Sequence, residues 1–183
     1  MNETGKEKAL TELRRRIPNT NDSLFAFFGA WLDARGDALV PQRKAFSPNS
    51  IPSLLPFVWI YRFDLNRDDF VCQLAGETVN DAWGKSIRGR TLCEIVGTVD
   101  YPAMRGRWLE IVDRPALMYG AVEEKLASQK TWRAERLMLP MSSSDGTIDV
   151  VLGLSLYTLQ HRAPGEQTGA SDFTAHYSCA DFR

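Results

Sequence analysis

The spacing of apolar residues predicts two helices at the start of the chain. A thin stripe, formed by Leu10, Leu13 and Ile17, lies in a charged segment that ends before Pro18. A broad aromatic stripe then runs from Leu24 to Leu32 and ends at Gly36. The thin stripe buries little area alone, so the first helix needs either a neighbouring element or a second copy of the chain.

Five strands are predicted from β-branched and aromatic runs or from alternation with a period of two residues. Turn residues join the first strand to the second and the fourth to the fifth, which is typical of hairpins. Between the second and third strands, helical spacing broken at glycines predicts short helices and then a longer helix around Trp108. The predicted strands are Phe57–Phe63, Phe70–Ala75, Ala116–Glu124, Thr131–Met141 and Thr147–Leu159.

This order of elements predicts an α+β fold, in which a five-stranded antiparallel sheet carries helices on one face and follows N-terminal helices. We predict an N-terminal helical arm over residues 1–20 and a main domain over residues 21–160. Residues 161–183 are rich in small and polar types without periodicity, so a loosely ordered tail is expected there.

Composition and charge limit the possible partners and the location. Hydrophobic residues make up 44% and charged residues 25%, which allows a packed core. The net charge of -1 argues against binding to nucleic acid or to an anionic membrane. The three cysteines lack metal-site spacing, and no apolar run has the length of a membrane span. We therefore expect a cytoplasmic protein that uses its cysteines in the reduced state.

Several ordered segments resemble a bacterial PAS-like family, and the resemblance covers about residues 24–159. It implies a PAS fold and a sensory or interaction role. Departures occur where Glu77 separates Gly76 from Thr78 and where a different glycine element follows Trp83, so no ligand preference carries over. The segments are PQRKAFSP, IPSLLPFVWIYRF, CQLAGETVNDAWGKSIRGRTLCEI and RLMLPMSSSDGTIDVVLG, which begin at Pro41, Ile51, Cys72 and Arg136.

No cofactor is predicted. In a PAS-like pocket, haem would usually need an imidazole on the long helix, and both histidines lie beyond the last predicted strand. The adduct-forming flavin class needs an Asn-Cys-Arg context, which neither Cys72 nor Cys93 has.

Aromatic and apolar side chains from several predicted elements are candidates for lining a groove between the sheet and the middle helices. Such pockets suit small organic ligands. Aromatic residues at these periods also form ordinary cores, so a pocket filled by its own side chains stays an alternative. The candidate ligand-binding residues are Trp59, Trp83, Met104, Arg105, Trp108 and Tyr119.

The function predicted from these features is a stand-alone sensory module, without catalysis, that binds a small organic ligand or a protein partner. The N-terminal helices are the predicted surface for a partner or a homodimer. The alternative is a small cone-shaped α+β enzyme of the isomerase or dehydratase type. That enzyme would need a desolvated carboxylate, with Glu77, Asp81 and Glu94 as the candidates.

Overall fold

The structure is a computed structural model that describes residues 3–125, 131–159 and 173–183. Short 3-10 turns occur between Arg43 and Phe57 and at Cys179–Phe182. The helices are α1 (Glu3–Arg16), α2 (Asp22–Arg35), α3 (Glu77–Trp83) and α4 (Leu92–Asp113). The strands are β1 (Val58–Asp64), β2 (Asp69–Ala75), β3 (Ala116–Lys125), β4 (Thr131–Ser142), β5 (Ile148–Leu159) and β6 (Phe173–Ser178).

The strands form one antiparallel sheet in the order β2-β1-β5-β4-β3-β6. The α+β class and the joining of the early hairpin to the late strands are confirmed. The predicted number of five strands is wrong, because the described residues already form a sheet of six. The additional strand, β6, pairs with the outer edge of β3.

The helix ends follow local capping chemistry. The Asn21 side chain accepts a hydrogen bond from the Ser23 N–H at the start of α2. Thr91 and Glu94 form a reciprocal capping box at the start of α4. Gly97, with a φ of 79°, kinks α4 between its first turn and its long part, as the broken helical pattern predicts.

Helices cover both faces of the sheet, so the prediction of helices on one face is wrong. Val58, Ile60 and their neighbours on one face pack against α1 and α2. Trp59, Tyr61 and their neighbours on the other face pack against α3 and α4. Because successive strand residues point to opposite faces, two apolar faces require two helical layers.

The C-terminal segment is part of the folded body over residues 173–183, where the expectation of a loose tail is wrong. After β6, Cys179 and Phe182 are each 1% exposed within the core on the α1/α2 side. The Phe182 ring meets the Phe28 ring edge-on at 5.3 Å. Predicted tail residues 161–172 lie outside the described part of the chain.

The N-terminal arm packs on its own chain. Ala9, Leu13 and Ile17 are buried in the same core as the aromatic face of α2. Arg16 also forms an ion pair with Asp181 at 2.8 Å. The apolar stripe that predicts a partner surface is therefore occupied within the chain, since α2 and the C-terminal turn supply the neighbour that it needs.

Glu12 on α1 is expected to titrate far below an ordinary glutamate. Its carboxylate accepts hydrogen bonds from the side chains of Arg15 and Arg16, which lower its pKa from 4.5 to about 2. This contribution to stability is present above pH 4.5 and is lost as the pH falls towards 2. NMR titration of the Glu12 carboxyl carbon measures this pKa. A midpoint near 4.5 in the wild type would contradict the contact, and R15Q/R16Q should move the midpoint there.

Candidate functional site

A cavity of about 640 Å³ lies between the sheet and the helices α3 and α4. Four of the six candidate ligand-binding residues line it. The two indoles of Trp59 and Trp108 are almost fully buried, whereas Trp83 and Met104 are half-buried. The predicted residues that line this cavity are Trp59, Trp83, Met104 and Trp108.

An aromatic cluster forms one end of the cavity. The Trp59 and Trp108 rings stack with centroids 5.2 Å apart and an angle of 10° between their planes. Tyr61 and Phe70 meet Trp108 edge-on at 4.9 and 5.4 Å. Each such pair adds stability beyond its buried area. The cluster is core at this end of the cavity, and it fixes the position of α4 on the sheet.

Gly153 allows Trp59 to lie flat on the sheet. The two residues are direct partners across β1 and β5. A Cβ atom at Gly153 would stand 2.1 Å from the Trp59 ring, so any side chain there would displace the indole. The Trp59 Nε1–H donates a hydrogen bond of 2.8 Å to the Ser155 hydroxyl oxygen, which satisfies its one polar atom.

Asp69 joins the start of α4 to the sheet. One of its carboxylate oxygens accepts a hydrogen bond of 3.1 Å from the Cys93 N–H in the first turn of α4. The other accepts from the Phe70 N–H at 2.7 Å. A carboxylate at a helix N-terminus also interacts favourably with the helix dipole. Helix α4, which covers the cavity, is thus held on the sheet by a polar contact as well as by aromatic packing.

A polar row crosses the strands beneath the cavity. The pairing register places Ser155 opposite Arg136, Arg136 opposite Gly120, and Gly120 opposite Thr174. All four line the cavity. The Arg136 Nε–H donates to the Ser155 hydroxyl oxygen at 3.2 Å, and the guanidinium lies 5.7 Å from the Tyr157 ring centre.

Arg105 does not line the cavity. Its guanidinium forms an ion pair with Asp68 at 2.5 Å, in the turn between β1 and β2, and lies 5.7 Å from the Phe63 ring centre. The structure places it outside this cavity, because its guanidinium reaches the carboxylate of the nearest loop; its contact with a ligand stays a prediction.

Tyr119 belongs to the other face of the sheet, so its expected place in the groove is wrong. It packs in the core covered by α1 and α2. Its hydroxyl donates a hydrogen bond of 2.9 Å to Glu135. The cavity is lined instead by its neighbours Met118 and Gly120, as strand alternation requires.

The ionisable groups near the aromatic end of the cavity are kept neutral. Burial raises the pKa of the Tyr61 hydroxyl. Burial likewise raises the pKa of the Cys72 thiol to about 11, and the thiol donates to the Leu74 carbonyl. Neither group is a nucleophile at neutral pH under these conditions.

The three carboxylates that the enzyme alternative requires are exposed to solvent. Glu77 and Asp81 lie on the outer surface of α3, and Glu94 is used in the capping box of α4. None of the three lines the cavity. This removes the residues on which the alternative depends.

Two further findings concern the described residues only. Among them, no cluster of three or more histidine, cysteine or acidic side chains is placed to hold a metal ion. No helix in the described ranges combines the length and the apolar character needed to cross a membrane.

A family model described as a PAS domain matches residues 19–156, which is most of the chain. The chain belongs to the PAS domain family. Its match begins before α2 and ends within β5, so it includes both helical layers over the sheet except α1. The comparison with curated proteins gives no match.

Solved structures similar to this PAS domain share little sequence with it. A Rhodobacter sphaeroides LOV protein is 12% identical with a TM-score of 0.43, over 55% of this chain and 57% of that chain. VqmA bound to DPO is 16% identical with a TM-score of 0.48, over 59% and 54%. The LOV domain of an Erythrobacter litoralis blue-light activated histidine kinase is 19% identical with a TM-score of 0.44, over 58% and 99%. The chain thus spans just over half of the first two, and no ligand or activity transfers at these distances.

Sequence reasoning missed the polar row of this PAS domain. Arg136 is the last of three charged residues in β4, directly before the apolar run that starts at Leu137, and it shares its face with Met138 by alternation. That signal was available in the sequence. The contributions of Gly120 and Thr174 were not, because they depend on the pairing of β3 with β6.

Proposed function

We propose that this PAS domain is a sensory module that binds a small organic ligand in the cavity beneath α4. The observation that carries the proposal is the unfilled space beside the aromatic cluster, about 640 Å³ in volume. Ligand pockets in proteins commonly measure about 300–1,000 Å³ and combine apolar walls with a few polar groups. The polar row supplies those groups at the sheet, opposite the apolar side chains of α4.

The proposal includes no catalytic step. The described lining is mainly apolar and aromatic, and the nearby phenol and thiol stay neutral by burial. Signal output would then pass from the ligand-bound state to a protein partner, and we place this activity in the cytoplasm.

Homodimerisation through the N-terminal helices stays a proposal in an altered form. The buried stripes of α1 and α2 stabilise the chain itself, so a partner would have to contact outward residues such as Thr11, Arg14 and Ala26. These border a surface groove between the two helices. Light scattering of T11E/A26E, which changes two exposed residues of the groove and leaves the buried stripes intact, tests this. A dimer that persists would contradict it.

Native mass spectrometry of the protein purified from its host cells tests ligand binding. The expected result is a non-covalent adduct of a few hundred daltons that is lost on denaturation. A bare mass, together with failure of every aromatic probe to bind, would show that the cavity is not a binding site.

Filling part of the cavity with a larger side chain should weaken ligand binding strongly. Gly120 borders it, and the nearest atoms to a Cβ placed there are at 3.8 Å, so G120L can extend into the space without a backbone clash. We expect binding of the adduct, or of an aromatic probe, to weaken about a hundredfold. The matched control is G106L on α4, where nothing lies within 4 Å of the new Cβ. Equal affinities of G120L and the wild type would contradict the assigned location.

A further inference from the structure

The Arg136 guanidinium is held in a defined orientation at the cavity floor. Its Nε–H donates to Ser155, whose hydroxyl oxygen also accepts the Trp59 indole N–H. Ser155 is fully buried, and Trp59 is fixed by its stack on Trp108. The position of the guanidinium is therefore coupled to the aromatic cluster through hydrogen bonds of 3.2 and 2.8 Å.

The space beside this guanidinium is kept open by a glycine. The cross-strand partner of Arg136 on β3 is Gly120, which has no side chain to cover it. On the far side of Gly120, the Thr174 hydroxyl lies 3.9 Å from where a Cβ atom would stand. A ligand group above Gly120 would thus have an arginine on one side and a hydroxyl on the other.

We infer that the ligand is a flat apolar molecule with one anionic group, a carboxylate or sulfonate, which binds to Arg136 above Gly120. This rests on the proposed function and specifies its ligand class. A guanidinium has five N–H donors in a fixed plane, so it can bind an anion while Nε stays bonded to Ser155 and the other contacts of Arg136 persist. Arg136 is half-buried, so such a charged pair is stronger there than on the open surface.

Three further charged side chains among the described residues line the cavity: Asp100, Arg107 and Glu123. Asp100 and Arg107 are exposed on α4, and Arg107 donates to the Ala103 carbonyl. Glu123 also lines the cavity, three residues beyond Gly120 along β3, and has a contact of its own within the chain. Arg136 is the charged residue that the register places directly opposite Gly120.

Two probes with the same ring system test the charge. 1-Anilinonaphthalene-8-sulfonate carries a sulfonate, and N-phenyl-1-naphthylamine is the same molecule without it. Fluorescence titration is expected to show that R136Q lowers the affinity for the sulfonate probe about tenfold and the affinity for the neutral probe less than twofold. R105Q is the matched control, because Arg105 is paired with Asp68 outside the cavity, and it should change neither affinity.

The outcomes separate this inference from the proposed function. If R136Q changes both affinities equally or changes neither, the ligand has no charge contact with Arg136, although the cavity still binds. If neither probe binds the wild type and native mass spectrometry shows a bare mass, the proposed function fails as well. Should R136Q not fold, R136M removes the charge and keeps an apolar side chain of similar length, and the preference for the sulfonate probe is then expected to fall about tenfold. An unchanged preference would overturn the inference.

Discussion

Replacing Trp108 by alanine should lower the free energy of unfolding by about 4 kcal/mol, since large-to-small changes at buried aromatics cost about 3–5 kcal/mol. Trp108 is 5% exposed and contacts three other rings: Trp59, Tyr61 and Phe70. Its loss would remove the main apolar contact between α4 and the sheet. Chemical denaturation followed by circular dichroism measures the change.

The control for this prediction is W83A. It deletes the same side chain from the same cavity wall, but Trp83 is only half-buried and has no ring partner among the described contacts. A loss of about 1–2 kcal/mol is expected, because less area returns to water. Equal losses for W83A and W108A would mean that the stacked cluster is not what holds α4.

Replacing Phe182 by alanine should lower the free energy of unfolding by about 3 kcal/mol and the melting temperature by about 10 °C. Its ring is 1% exposed and meets Phe28 of α2 edge-on, so the substitution would leave a cavity between α1, α2 and the C-terminal turn. The prediction tests whether the last residues of the chain are part of its core.

F173A is the matched substitution for F182A. Phe173 opens β6 and is 46% exposed, so its loss should cost less than about 1 kcal/mol. If F182A lowered the free energy of unfolding no more than F173A does, the C-terminal segment would not stabilise the fold.

Local patterns in the sequence predicted most of the secondary structure. The predicted bounds of the first five strands differ from the observed ones by no more than one residue at any end. β-Branched runs and turn residues mark these bounds directly. The sixth strand was missed, since Phe173–Ser178 alternates weakly and gains its partners only from β3. Whether helices cover one face or both was also decided by long-range packing. The stripe at Leu13 gives no indication of which surface covers it.

The candidate site was predicted in its aromatic part and missed in its polar part. Trp108 belongs to a strongly periodic helix, so its face followed from spacing, whereas Trp59 lies in a continuous apolar run whose composition predicted the strand but not the face. Tyr119 lies in a strand that is apolar on both faces, where alternation alone does not say which face meets which helix. The expected position of Arg105 rested on the spacing within its own helix alone. Its partner Asp68 lies in a turn 37 residues earlier, which that spacing does not reveal.

The indole N–H signals of the tryptophans test ligand binding beneath α4 most directly. Trp59, Trp83 and Trp108 line the cavity, whereas Trp31 lies on the opposite face of the sheet and donates to the Pro140 carbonyl at 2.9 Å. In ¹H–¹⁵N NMR spectra titrated with 1-anilinonaphthalene-8-sulfonate, the three cavity signals should shift together and saturably while Trp31 stays in place. Saturable shifts of Trp31 with the cavity signals unmoved would place binding elsewhere and contradict the account.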